Sequence, residues 1–467
     1  MDQACPNAGK FRELGYERSV QISKNKAGMA FIGEVVNRRR VLKVAGGLIG
    51  WSVSGCRREK TTKPARTAGA LLQDGYVWQR VWTPQVRTGV AAARGKFSGL
   101  TVLAAEVDWR DQQPAITRPK LDFSLLASLG IPISLAMRLG PWPGPYETTD
   151  PRTQQLAIWL REIIKQAEMA GCPPAEVQVD FDAATAKLEG YQTWLTLLQQ
   201  AATPIPISFT VLPDWLNSPI LKSMARQTGR FVLQVHAVEK AQRHPQQPTL
   251  IQAGQTLRWV ERAAEFGAPF RVALPTYRSV VGFNAEGKII GIDSEGPRRA
   301  WPEQTELVSY VSPPEVIAGL VRDWMADRPA MLGGLLWYRL PVPEERRNWR
   351  WLTLEAVMAG RVPKPDVRVA MRGANPVDLT LQNQGAADAP WPDKIVAQLP
   401  EGGGGIVAGD ALEGYTLVQD PATPGRAEFR KVAGSPDAYL MPGDEKSLGW
   451  LRLDAIGPDH ELSISIR

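Results

Sequence analysis

Ten residues of this chain set acids at strand spacing: Glu176-Val-Gln-Val-Asp180-Phe-Asp182-Ala-Ala-Thr185. Read as a β-strand, the segment turns Val177, Val179 and Phe181 to one face and Gln178, Asp180 and Asp182 to the other. An ordinary core strand does not bury an amide and two carboxylates on a single face. Two aspartates so close push each other's ionisation apart, so that one can orient while the other reacts. At the C-terminal end of a barrel strand, such a pair suits a site that handles sugars. The segment points to a catalytic or binding site and does not fix the reaction.

The elements that must position these acids follow from the rest of the pattern. Apolar, strand-like runs occur at 76–82, 100–109, 132–139, 176–185, 206–215, 231–238, 270–277 and 333–340. Helical spacing separates them, as in Leu156, Trp159, Leu160, Ile163, Ile164 and Ala167. It recurs in Val316, Leu320, Val321 and Trp324, behind the helix-start string Ser312-Pro313-Pro314-Glu315. A last helix is expected over 346–360, ending on glycine. Eight strands alternating with helices predict an α/β fold, a (β/α)8 TIM barrel over about 70–362. Residues 278–311 interrupt it with a hairpin built around Asn284-Ala-Glu-Gly287, placed to cover the barrel mouth. From 363 to 467 the texture changes to short strands at 367–371, 377–381, 394–399, 415–418, 427–432, 448–453 and 462–466. These predict a small all-β, sandwich-like domain.

Carrying the alternation across the strands gives one inward set. It comprises Glu106 and Asp108, Arg138, Gln178 with Asp180 and Asp182, Ser208 and Thr210, Gln234 and His236, and Tyr277. Trp78 and Trp337 are expected to add flat apolar faces. Acids, hydrogen-bonding side chains and aromatic platforms suit a saccharide, which offers hydroxyls at its rim and C–H groups on its faces. The plainer alternative is that Glu106 or Asp180 pairs with Arg138 as a buried structural network, since buried charges are paired whether or not they catalyse.

The net charge of +7 is set largely by the leader. Residues 1–55 hold nine Lys/Arg and four Asp/Glu, which leaves 46 against 44 in the rest. No basic run interleaved with aromatics follows, so a nucleic-acid partner is not expected. Arg38-Arg39-Arg40-Val41-Leu42-Lys43 precedes an apolar run from Val44 to Val53, too short to span a bilayer. The string resembles a twin-arginine export motif, and Val53-Ser54-Gly55-Cys56 resembles a bacterial lipobox, which implies acylation of Cys56. A basic N-terminal helix with a chance cysteine is the alternative. The expected parts are a leader (1–55), a tether (56–69), the barrel and the β-domain, with Met29 as a candidate start. The expected location is the periplasmic side of the cell envelope, held to the membrane by lipid.

Cys5, Cys56 and Cys172 offer the mature chain no disulfide, and three histidines offer no multi-His metal centre. Gly402–Gly405 lacks the Lys and Ser/Thr of a phosphate loop, so no cofactor is expected.

Several strings carry a resemblance: YVWQRVWTP (76–84), LAAEV (103–107), VQVDFDAATAKLEGYQTWL (177–195), SFTVLPDWL (208–216), VLQVHAV (232–238) and FRVALPTY (270–277). They resemble the bacterial family called domain of unknown function 3142. The resemblance extends through GYTLV (414–418) and GWLRL (449–453), and implies a fold and no reaction. A more distant likeness is to family-18 chitinases, whose fourth strand ends Asp-x-x-Asp-x-Asp-x-Glu. Asp180 and Asp182 match the second and third acids, while Val177 and Ala184 replace the first acid and the catalytic Glu. Losing that proton donor removes about two to four powers of ten in rate.

Two readings follow. In one, a glycoside-hydrolase-like barrel binds and hydrolyses a polysaccharide, with Glu106 as acid and Asp180 and Asp182 positioning or attacking the substrate. In the other, a non-catalytic carbohydrate-binding or scaffold lipoprotein has kept the barrel and lost the acid.

Overall fold

The computed structural model describes residues 64–467 apart from 111–112, 238–240, 295–299, 344, 413, 433–438, 455–461 and 467. The expected leader, the candidate start at Met29 and Cys56 lie outside the described residues. Eight parallel strands carry the alternating patterns: β1 (Leu72–Val77), β2 (Gly99–Arg110), β3 (Ile133–Leu139) and β4 (Glu176–Phe181). They continue as β5 (Ile207–Val211), β6 (Phe231–Gln234), β7 (Phe270–Pro275) and β8 (Leu332–Tyr338). Each pairs with the next, and β1 pairs with both β2 and β8, so the sheet closes on itself.

One helix follows each strand: α1 (Pro84–Ala91), α2 (Phe123–Ser128), α3 (Pro151–Met169), α4 (Leu188–Ala202), α5 (Pro219–Thr228), α6 (Ala253–Ala264), α7 (Pro314–Ala326) and α8 (Trp351–Met358). The fold is therefore the (β/α)8 barrel that the alternation predicts. α3 shows why these segments are helical. Asp150 caps it, accepting the Arg152 N–H at 2.8 Å, and Pro151 occupies the first position. Leu156, Leu160, Ile163 and Ile164 then bury one stripe against the sheet. Each such side chain contributes roughly 1.5–3 kcal/mol.

Some boundaries differ from the sequence expectation, for local reasons. β1 begins four residues before the expected run, because Gln73-Asp74-Gly75 reads as a turn. In the barrel Asp74 finds an ion-pair partner, and Gly75 leaves room for the Phe97 ring, which a Cβ would meet at 2.6 Å. α8 starts at Trp351 rather than 346, because Asn348 bridges to Tyr277 and donates to the Arg339 and Leu340 carbonyls. Gln113–Thr117 folds back on β2 as an antiparallel strand that the sequence did not announce. Arg66 and Thr67, expected in the tether, instead pair with Arg328 and Pro329 beneath the barrel.

The N-terminal end of the barrel interior holds a charge network. Arg271 on β7 ion-pairs with Asp74 at 3.0 Å and with Glu176. Glu176 also accepts from Ser208 at 2.5 Å and from Arg230 at 3.2 Å. Above it Tyr76, Trp78, Leu103, Ala136, Val232, Ala273 and Leu336 fill the interior.

Between β7 and α7 the expected hairpin is one part of a three-stranded sheet, Ile289–Asp293, Ser279–Phe283 and Glu306–Tyr310. Its Asn284–Gly287 turn closes with Asn284 Oδ1 accepting the Lys288 N–H at 2.8 Å and Gly287 at φ +74°. Beyond the barrel, two four-stranded antiparallel sheets enclose a core of Leu379, Leu381, Ile395, Phe429, Leu448 and Leu451. Ile406–Ala411, adjoining the glycine run, is an unanticipated strand of this region. Ion pairs join its turns to the barrel loops: Arg278 to Asp388 at 2.8 Å, and Arg346 and Arg350 to Asp444 at 3.1 and 3.3 Å. The described residues from 64 onward belong to one compact unit.

Replacing Arg271 with Met leaves Asp74 and Glu176 buried without their shared cation. The variant should lose about 3–5 kcal/mol of stability in chemical denaturation; an unchanged midpoint would show that the network contributes nothing.

Candidate functional site

β4 presents its acids as the alternation requires. Val177, Val179 and Phe181 are buried in the layer between sheet and helices, and Gln178 and Asp180 are buried on the inner face. Gln178 donates to the Tyr76 hydroxyl. Asp180 accepts from Thr210 on β5 at 2.7 Å. Asp182, just past the strand end, opens to solvent.

Glu106 reaches the same end through a bulge. The pairing of β2 with β3 skips Ala104: Leu103 faces Ala136, but Ala105 faces Met137. The skip moves the inward phase from odd to even residues and places Glu106 beside Arg138, which itself lies beside Asp180. The three therefore form a row across adjacent strands, with the Glu106 and Asp180 backbones about 10 Å apart, two strand spacings. Glu106 is nonetheless engaged elsewhere. Its two carboxylate oxygens accept from Arg80 Nε at 2.5 Å and Nη2 at 2.6 Å. A carboxylate gripped this way has both oxygens occupied by donors.

The remaining expected residues divide. Trp78, His236 and Tyr277 gather at the mouth together with Tyr338. The Trp78 and Tyr338 rings are 5.5 Å apart, the His236 ring stacks on Tyr338 at 5.6 Å, and Tyr277 meets Tyr338 edge-on at 5.5 Å. Tyr277 OH and His236 Nδ1 are 3.4 Å apart. Burial pushes the His236 imidazole down to about 3, so it is neutral at physiological pH. Gln234 is half-buried and donates to the His236 carbonyl at 3.3 Å. Asp108 sits on the part of β2 that runs into the hairpin, 3.7 Å from Arg110. Trp337 corrects the expectation: it points out of the barrel, buried near Trp349, with Nε1 donating to Gln73 at 2.9 Å. The inward phase of β8 is Gly334, Leu336 and Tyr338, so Tyr338 takes the place expected of Trp337.

Arg80 and Tyr338 were the residues the sequence reading missed. Tyr76, Trp78 and Arg80 share one phase of the expected run 76–82, so carrying its inward set past Trp78 finds Arg80. Tyr338 is one step from Trp337, and only the register of β8 against β7 selects it.

Asp182 is the acid at this mouth with an unusual affinity for its proton. Its side chain is exposed, yet protein atoms crowd around it. That crowding, with the adjacent Asp180 charge, raises its carboxyl to about 6 against the opposing pull of Arg138. Among the described residues no group of His, Cys, Asp and Glu is placed to hold a metal ion. The groups a ligand can reach are thus Asp182 and the half-exposed Arg138, Gln234, Tyr277 and Tyr338.

Residues 147–343 match the family model described as "Domain of unknown function (DUF3142)", and residues 368–454 match "Domain of unknown function (DUF8456)". The first match therefore starts before α3 and stops after β8, the second covers most of the β-sheets, and Trp78, Glu106 and Arg138 lie outside both. No curated protein matches the chain. Among solved structures, the spore cortex-lytic enzyme SleL of Bacillus cereus aligns at 13% identity and TM-score 0.45, over 63% of this chain and 75% of that one. A chitinase from Chromobacterium violaceum aligns at 14% identity and TM-score 0.42, over 62% and 99%. The GH18 chitinase ChiB of Flavobacterium johnsoniae aligns at 12% identity and TM-score 0.39, over 59% and 89%. The stretch matched by the first of these models contains Asp180, Asp182, His236, Tyr277 and Tyr338.

Proposed function

We propose that this chain is a lipid-anchored protein of the bacterial cell envelope, on the periplasmic side, whose barrel mouth binds a polysaccharide. The export and anchoring part of the reading rests on the order of Arg38–Lys43, the apolar run and Cys56 in the sequence. The binding part rests on one observation: Asp182 stands exposed beside Asp180 and Arg138, at the end of the barrel where the partly exposed Tyr277 and Tyr338 also lie. Carboxylate and guanidinium suit sugar hydroxyls, and the tyrosines offer both a ring face and a hydroxyl.

Binding and positioning are better supported than hydrolysis by two opposed carboxylates. Hydrolysis of that kind needs acids flanking the scissile bond. Here Asp180 stands on β4 and Asp182 follows its end, so both approach from one side, while Glu106, two strands away, is held by Arg80. One observation favours a second reading, in which the chain hydrolyses the polymer with Asp182 as proton donor. A carboxyl raised to about 6 is suited to that task near neutral pH.

The two readings respond oppositely to pH. Binding through the Asp182 carboxylate should strengthen as pH rises from about 5 to 7, whereas turnover that needs its proton should fall across the same interval. A screen of labelled bacterial glycans against wild type and Asp182→Asn checks both. Loss of a hydrogen bond to a charged group should weaken binding by roughly 10–100-fold. Unchanged affinity in Asp182→Asn sinks the binding reading, and turnover that survives the substitution removes Asp182 from the chemistry.

The raised carboxyl has its own check. Asp180→Asn removes the neighbouring charge and should bring the Asp182 midpoint down from about 6, though not to the ordinary aspartate value, because the crowding stays. A carboxyl-carbon NMR titration reads this directly. The sign for stability follows: a value raised above that of the unfolded chain makes a contribution present at low pH and lost as pH rises through 6. Asp182→Asn should flatten that part of the stability profile.

A further inference from the structure

The first described residues form a strap across the end of the barrel opposite the acids. Arg66 and Thr67 pair with Arg328 and Pro329, between the end of α7 and the start of β8, and the Ala330 N–H donates to the Ala65 carbonyl at 2.7 Å. Arg66 ion-pairs with Glu261 and Asp327, both at 2.7 Å. The buried Arg328 donates to the Gly69 carbonyl at 2.7 Å and the Ala70 carbonyl at 3.2 Å. Strands enter a (β/α)8 barrel at this end and deliver their catalytic or binding residues at the other. The chain is therefore fastened at the pole away from Asp180 and Asp182.

We infer that this strap sets the orientation of the protein on a lipid bilayer, with the N-terminal end of the barrel towards an anionic membrane surface and the mouth away from it. The inference rests on the lipid-anchor reading above, and it narrows the substrate to a polymer lying beyond the bilayer surface. Cys56 is nine residues from Ala65 in the sequence. That stretch spans at most about 30 Å when fully drawn out and about 17 Å as a flexible chain. With the mouth turned down, the strap would be lifted by roughly 20 Å of tilted strand, with the β2 hairpin and the three-stranded insert wedged beneath in addition. Only a fully stretched tether would reach. The tether also carries Arg57, Arg58, Lys60 and Lys63 against Glu59, a charge balance drawn to anionic lipid.

Fluorescence energy transfer tests the orientation. The full acylated chain is placed in phosphatidylethanolamine–phosphatidylglycerol vesicles with a headgroup acceptor. The donor sits either at Met169→Cys, exposed at the strap end of α3, or at Thr185→Cys, exposed beside the acids. The remaining native cysteine of the mature chain, Cys172, is buried. Transfer several-fold greater from position 169 than from 185 is the expected result, and a 30-residue Gly/Ser insertion after Lys63 should abolish the difference. Equal transfer, or more from 185, overturns the inference. The anchor reading is judged separately, by the mass of the acylated N-terminal peptide. Should Cys56 carry no lipid, that reading fails, and the orientation is decided by the same comparison on a chain bearing hexahistidine at 51–56 bound to nickel-chelating lipid.

Discussion

A charge enclosed by a closed barrel has to find its partner inside the same barrel, and this requirement organises the molecule. At the lower end Arg271 satisfies it for Asp74 and Glu176, drawing together β7, β1 and β4. At the upper end Arg80 satisfies it for Glu106, Thr210 supports Asp180, and Asp182 escapes it by standing in solvent. Between the two lies an aromatic and aliphatic filling that admits no charge. The chemistry open to the protein includes Asp182, with its raised carboxyl, and the partly exposed polar and aromatic groups near it at the rim.

That arrangement depends on an irregularity. Without the skipped residue at Ala104, the odd residues of β2 would keep facing inward, and Glu106 would point into the helical layer. The bulge is what brings Glu106, already expected on the inner face, into phase as a neighbour of Arg138. It also supplies the change of twist with which β2 runs on into its hairpin above the mouth.

Alternation and helical spacing made the barrel legible in the sequence, because seven of its strands are bounded by ordinary turn residues and filled with β-branched and aromatic side chains. β1 was displaced because Asp74 and Gly75, turn formers by composition, serve there as an ion-pair partner and a seat for Phe97. The acids of β4 were readable for the same reason as the strand itself: a polar face of period two stands out against valines and phenylalanine. Trp337 was misassigned because the run 333–340 is apolar on both faces, and such a run carries no phase of its own. Arg80 stands inside the expected run 76–82 and in phase with Trp78, but its partner Glu106 belongs to another strand, and composition alone does not bring the two together. The strap was hidden for a different reason, since a polar segment that docks by two ion pairs looks the same in sequence as one that does not dock.

The ion pairs between the β-sheets and the barrel reach into the loops that carry the mouth. Arg278 follows Tyr277 directly, and Arg346 and Arg350 flank Asn348, which bridges to Tyr277. The second module is thus bolted to the scaffold of the rim rather than strung behind it. Exchanging it for an unrelated module would disturb the seat of Tyr277 as well as the tail of the protein, which makes the two parts one mechanical unit rather than interchangeable cargo.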